Sequence, residues 1–198
     1  MAFIVYKWAP FINYQNAKRV TMPNLYSQKC TIQPKNLPIT LDEAKAFLRI
    51  TYEEDDQMLL NMISSAALSF QNYTSRALVY QTWEVVFRQL ARISVNLPVK
   101  PVVSISKISL VALDGSVVDY SLKNIDLNCE ASEIIFNVYP YGYLIKIAYV
   151  AGYGLSANDI PSDIKTTILN HVAAMYESRS ATVNYPYSFY DQFKTMRL

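Results

Sequence analysis

Glycine is scarce in this 198-residue chain, with only four. None falls in a G-x-G-x-x-G run, which excludes a glycine-rich loop built to cradle phosphate. Histidine is scarcer still. His171 is the only one, and it lies in an otherwise apolar helical stripe, so it reads as a buried, hydrogen-bonded residue. A Ser-His-Asp or Cys-His arrangement would have to use it, and no nucleophile elbow accompanies it. The two cysteines, Cys30 and Cys129, are far apart and belong to no C-x-x-C pair. That removes metal and redox-motif readings and leaves two free thiols in a reducing compartment. No apolar run reaches the roughly 18 residues needed to span a bilayer, so no membrane partner is expected. The start, Met1-Ala2-Phe3-Ile4-Val5-Tyr6, has no basic region ahead of a sustained apolar core, unlike a secretory signal. Nothing here rises to an enzyme, and no cofactor or metal is expected.

Charge of either sign is modest. The formal net charge of +2 is too small to imply a nucleic-acid partner. Its distribution is uneven: five of the 18 basic residues (Lys7, Lys18, Arg19, Lys29 and Lys35) and none of the 16 acidic ones precede Leu37. The remainder therefore carries 13 basic against 16 acidic residues, a net of −3. Residues 1–36 read as a loosely ordered N-terminal extension broken by Pro10, Pro23 and Pro34, with Met22 as an alternative start. The sharper alternative is a basic, aromatic arm that reaches DNA or a neighbouring subunit, since cations with aromatics are what single-strand binding requires. On that alternative the protein is a DNA-binding accessory factor.

What the chain does have is apolar and aromatic residues in ordered patterns, including sixteen tyrosines. Thr40 and Glu43 have capping-box spacing. Leu41, Ala44, Phe47 and Leu48 follow on one helical face. Glu53, Glu54, Asp55 and Asp56 then suit the N-terminus of a second helix, where the macrodipole favours negative charge. Their spacing lacks the alternating ligands and glycine of a calcium loop. The second helix carries Leu59, Met62, Ile63, Ala66, Ala67, Phe70 and Tyr73 at three- and four-residue steps. A third, opening near Pro161, aligns Ile164, Thr167, Ile168, His171, Val172, Met175 and Tyr176.

Between the second and third helices the period changes to two. Trp83, Val85 and Phe87 face one way and Glu84 and Arg88 the other, with Val86 between them, and Tyr143, Ile145, Ile147 and Tyr149 give the cleanest alternation in the chain. Val103 and Ile105 share one face, but Ile108 and Leu110 are out of phase with them, which predicts a bulge or bend. Asp114-Gly115 signals a hairpin. Gly152 and Gly154 mark a turn with unusual backbone angles. The expected fold is α+β: a small antiparallel helical bundle with an inserted antiparallel β-sheet or sandwich and extended terminal arms. The expected parts are an N-terminal extension (1–36), a bundle (37–78 and 155–180), an inserted β subdomain (79–154) and a C-terminal aromatic tail (181–198). The tail holds Tyr185, Tyr187, Phe189, Tyr190, Phe193, Arg197 and Leu198. From composition it either folds back as core or docks on a partner.

The same positions form a recognisable ordered set. It runs Leu37-Pro38-Ile39-Thr40-Leu41-Asp42-Glu43-Ala44-Lys45 with Leu48-Arg49, Tyr73-Thr74-Ser75-Arg76-Ala77-Leu78, Gln81-Thr82-Trp83, Leu97-Pro98 and Pro101-Val102-Val103-Ser104-Ile105. It continues through Tyr149-Val150-Ala151-Gly152-Tyr153-Gly154 and Ile160-Pro161-Ser162-Asp163-Ile164-Lys165 to Val172-Ala173-Ala174-Met175-Tyr176-Glu177-Ser178-Arg179. Over about Leu37 to Arg179 the chain resembles the head–tail connector (adaptor) proteins of long-tailed bacteriophages and gene transfer agents. The resemblance implies a virion structural protein at the head–tail junction, made in the bacterial cytoplasm. It implies a homo-oligomeric ring, usually twelve-fold, between the portal protein and a tail-completion (stopper) protein. DNA would pass through that ring without specific binding. It makes Tyr185, Tyr187, Phe189, Tyr190, Phe193, Arg197 and Leu198 candidate portal contacts. Glu53, Glu54, Asp55 and Asp56 are candidates to line the channel, where acids would not grip phosphate.

Overall fold

The computed structural model of the chain describes residues 24–88, 90, 93–179 and 186–194. The first described element is a strand, β1 (Asn24–Ile32), in a stretch that the sequence reading assigned to a loose extension. The strand escaped notice because neither of its faces is buried. From Leu25 to Ile32 every side chain is exposed except that of Cys30, which is half-buried. No apolar alternation exists there to read.

Helix α1 (Leu41–Leu48) begins as its sequence dictates. Thr40 Oγ1 accepts from Glu43 N at 3.1 Å, and Glu43 Oε2 accepts from Thr40 N at 2.9 Å. Arg49, in the left-handed region at φ 57°, ends it. Of its apolar face only Ala44 is fully buried, and Phe47 is exposed. Phe47 lies about 100° around the helix from Leu48, at the edge of the packed arc. Helix α2 (Asp56–Thr74) buries Leu59, Met62, Ile63, Ala66, Ala67 and Phe70.

Strands β2 (Gln81–Arg88), β3 (Ser94–Asn96), β4 (Val102–Val111), β5 (Val117–Asp119), β6 (Ile125–Asn128), β7 (Glu133–Phe136) and β8 (Leu144–Ala151) follow, then α3 (Ser162–Ser178). The strands form two antiparallel sheets, ordered β1-β2-β8-β4-β5 and β3-β7-β6. Strand β8 is central and alternates as expected, with Ile145, Ile147, Tyr149 and Ala151 buried. The register of β4 slips between Val102 and Ser104 and again between Ile105 and Lys107, and the second slip is where the apolar phase of the sequence shifts. At the hairpin, Gly115 takes φ 85° and Ala112 N bonds Ser116 O at 2.9 Å. The two sheets share one core: Val85, Phe87, Ile145 and Ile147 from the first meet Val95, Ile134 and Phe136 from the second.

A second core joins the helices on either side of the sheets. Ile63, Ala66, Ala67 and Phe70 of α2 pack on Ile164, Ile168, Val172 and Met175 of α3, with Ile39, Ala44, Leu78 and Val79 around them. Each large apolar side chain fully buried here contributes roughly 1.5–3 kcal/mol. The α+β architecture expected from the sequence is therefore present, with α2 and α3 in contact despite their separation in the chain.

The chain passes between helices and sheets at two adjacent places. Tyr153 N bonds Leu78 O at 2.9 Å, Tyr80 N bonds Gly154 O at 2.8 Å, and Ala77 N bonds Lys100 O at 2.7 Å. Gly152 sits between these bonds at φ 137°, and a Cβ there would stand 2.7 Å from the Val79 carbonyl carbon. Only glycine meets both conditions.

Candidate functional site

The acidic corner between α1 and α2 divides into two pairs. Asp55 and Asp56 are half-buried and committed to the fold. Asp56 pairs with Lys45 Nζ at 2.6 Å, tying α2 to α1. Asp55 accepts from Tyr176 Oη at 2.7 Å and from Tyr52 Oη at 3.2 Å, tying the corner to α3. The two hydroxyls also meet each other at 2.7 Å. The bond to Tyr52, followed by the Asp55 carboxylate, raises the Tyr176 phenol above its usual range. Glu53 and Glu54 are exposed and lie outside these bonds.

Another tie reaches α3 from α1. Lys165 Nζ pairs with Glu43. Burial would raise the Glu43 carboxyl, but the bonds from Lys165 and Thr40 outweigh it and hold the pKa below the ordinary value.

The tail residues are divided in the same way. A 3-10 segment, Tyr187–Phe193, lies against α2. Tyr190 is fully buried and Phe193 nearly so, and both belong to the helical core. The Tyr190 ring meets Phe70 edge-on at 5.0 Å, and Phe193 meets the same ring at 5.4 Å. Tyr190 Oη lies 2.6 Å from His171 Nδ1. Burial holds His171 below the ordinary imidazole pKa. Around this anchor Tyr73 Oη donates to Asp191 at 2.7 Å, and Arg76 Nε donates to Phe193 O at 2.7 Å. Lys194 Nζ sits 3.9 Å from the centre of the Tyr73 ring. Tyr187 and Phe189 remain exposed, and Tyr187 stacks on Tyr73. Tyr185, Arg197 and Leu198 lie outside the described residues, as do Lys7, Lys18 and Arg19 of the basic arm.

One polar feature was missed by sequence reasoning. Between β1, β2 and the C-terminal half of α2 lies an open cleft of about 190 Å³, lined in part by Gln28, Gln71, Asn72, Gln81 and Trp83. Gln71 Oε1 accepts from Leu78 N at 3.2 Å and Gln81 Nε2 at 2.6 Å. The Trp83 indole nitrogen is buried and has no acceptor among the described residues. The available signal was compositional: no charged residue occurs from Gln57 to Ser75. Among the described residues no three of His, Cys, Asp and Glu converge as metal ligands.

The structure thus places its unusual chemistry on outer surfaces and in the ties between elements. Residues 38–110 match the family described as Phage gp6-like head-tail connector protein. This match bears out the resemblance to head–tail connectors read from the sequence. No curated protein matches the chain. Among solved structures, a chain from "Neck of empty GTA particle computed with C6 symmetry" is similar at TM-score 0.69 and 18% identity, covering 87% of this chain and 97% of that one. A chain from "Virion of native gene transfer agent (GTA) particle" matches at TM-score 0.69 and 19% identity, covering 86% and 96%. A third, from "Neck of native GTA particle computed with C12 symmetry", matches at TM-score 0.63 and 20% identity, covering 90% and 97%. At these identities the likeness is one of fold.

Proposed function

We propose that the protein is a structural head–tail adaptor of a phage or gene-transfer-agent particle. It sits at the head–tail junction, without enzymatic activity, as a ring between the portal and the tail-completion protein, extending the DNA channel. The observation that carries this reading is the mutual coverage of the fold: 87% of this chain aligns with 97% of a chain from a gene-transfer-agent neck. The connector-family match over residues 38–110 supports it independently. Twelve copies are the number we favour, in keeping with the C12 symmetry of one matched neck.

On this reading the bundle (37–78 with 155–180) builds the ring and the inserted β subdomain (79–154) extends from it. Tyr187 and Phe189, with Tyr185, Arg197 and Leu198, meet the portal, while Tyr190 and Phe193 anchor the tail to its own protomer. Glu53 and Glu54 line the channel, and Asp55 and Asp56 hold the corner in place. A body of net −3 outside the N-terminal 36 residues suits a conduit that lets DNA slide.

The test is attachment. Purified full-length protein is mixed with tail-less particles that carry a portal, and the vertex is imaged. A ring of density at the portal is expected. A bare portal vertex at saturating protein overturns the reading.

A further inference from the structure

The tail segment and the crossing between helices and sheets meet at one side chain. Arg76 directly follows Ser75, which ends α2 in the left-handed region at φ 58°. The backbone around it is held on both sides by the chain before β4: Lys100 N bonds Ser75 O at 3.1 Å, and Ala77 N bonds Lys100 O at 2.7 Å. The residue is half-buried, and its guanidinium reaches two further segments. Nε donates to Phe193 O at 2.7 Å, and a terminal nitrogen donates to Tyr153 Oη at 2.8 Å. These partners lie 117 and 77 residues away in the sequence.

Charge alone does not account for Arg76. The macrodipole favours a cation near a helix C-terminus, and a lysine would serve that purpose equally well. The ion pairs among the described residues do not include Arg76. Its charged neighbour is another cation, Lys100, whose ammonium is held below the ordinary lysine pKa by burial and then by Arg76. Both bonds of the guanidinium go instead to uncharged oxygens, a main-chain carbonyl and a phenol. What a guanidinium supplies and an ammonium does not is a rigid planar fork that fixes two acceptors relative to each other.

The places of those acceptors give the fork its consequence. Phe193 closes the 3-10 segment, whose Tyr190 and Phe193 rings sit in the helical core. Tyr73 and His171 hold that segment to α2 and α3. Tyr153 stands between Gly152 and Gly154, where its own N–H bonds Leu78 O. Arg76 therefore carries the attachment of the tail past the helices, to the point where the chain returns from the sheets.

We infer that Arg76 is a positioning residue that joins the docked tail segment and the closed crossing into one unit, so that loosening either loosens the other. The functional consequence rests on the adaptor reading above: a portal that engages Tyr187 and Phe189 acts, through this clasp, on the crossing and the sheets beyond it.

Amide hydrogen exchange of the isolated full-length protein, followed residue by residue by NMR, tests the coupling. The amides of Phe189 and Lys194, bonded to Pro186 O and Asp191 O, report on the tail. Those of Tyr80 and Tyr153, bonded to Gly154 O and Leu78 O, report on the crossing. Ile145, at the opposite end of β8, is the control. Tyr153→Phe removes only a phenol oxygen at the crossing, yet should speed exchange at Phe189 and Lys194 by about threefold or more, as expected of groups that share a bonded partner. Asp191→Ala removes the carboxylate held by Tyr73 and Lys194, and should speed Tyr80 and Tyr153 by a similar factor. Arg76→Lys keeps the charge without the fork and should speed both sets. Ile145 should not change in any of the three. Parental exchange at the tail in Tyr153→Phe, or at the crossing in Asp191→Ala, overturns the inference. So does an equal rise at Ile145, which means general destabilisation, or an Arg76→Lys protein that exchanges like the parent, which reduces the residue to a helix-end charge. None of these results bears on the adaptor reading, and failed attachment to particles leaves the coupling as measured.

Discussion

Adjacent tail residues should respond in opposite ways to truncation. Tyr190 has no exposed surface, touches Phe70 edge-on, and shares a 2.6 Å bond with His171. Removing a buried aromatic ring to alanine costs about 3–5 kcal/mol. At about 2–4 °C per kcal/mol for a chain of this size, Tyr190→Ala should lower the melting temperature by roughly 6–20 °C. Phe189, one residue away, is 56% exposed, and substitutions at such sites stay within about 0.5 kcal/mol. Phe189→Ala should therefore melt like the parent yet attach less well to portal-bearing particles. Both variants are measured by thermal denaturation and by co-sedimentation with particles. Equal melting temperatures for the two would refute the argument, because they would mean that the Tyr187–Phe193 segment is not docked on α2. A Phe189→Ala protein that attaches normally would remove that side chain from the portal contact.

Thr40→Ala deletes the side-chain half of the α1 capping box and should cost about 1 kcal/mol, read as a shift in the denaturation midpoint at constant slope. His171 is held below the pKa of free imidazole by burial, so the unfolded chain takes up this proton first. Stability should fall as pH drops through about 6.5, and His171→Gln should flatten denaturation midpoints between pH 7.5 and 5.5. Glu43, whose carboxyl is held low against the effect of burial by Lys165 and Thr40, adds a further loss below about pH 4.3, the ordinary glutamate value. Glu53→Lys with Glu54→Lys should leave melting unchanged and slow DNA exit from assembled particles. Asp56→Lys, which sets a like charge against Lys45, should instead lower the melting temperature. Unchanged ejection kinetics in the first variant would take Glu53 and Glu54 out of the channel wall.

The sequence was informative wherever burial was one-sided. The α2 stripe from Leu59 to Phe70 and the β8 alternation through Ile145, Ile147 and Tyr149 are each packed on one face only and appear in the structure as read, whereas Tyr143, read into the same alternation, precedes β8 and is exposed. The β4 bulges, the Asp114-Gly115 turn and the Thr40 cap were equally visible, because each depends on neighbouring residues alone. Strand β1 was hidden for the opposite reason: its backbone pairs with β2 while its side chains stay exposed. Strand β6 was missed because four residues with two half-buried side chains, Ile125 and Leu127, carry too little pattern. The tail was ambiguous because aromatic composition does not say which rings turn inward. Tyr190 is distinguished from Phe189 only by meeting His171 and Phe70, both distant in the chain.

The twin crossing between helices and sheets has a mechanical side. Because Leu78 and Tyr80 bond directly to Tyr153 and Gly154, the outgoing and returning strands of chain brace one another like paired struts. Gly152 lets them approach closely enough to do so. A push on the sheet end would reach the helices as displacement of one stiff body, with little absorbed as bending at a hinge.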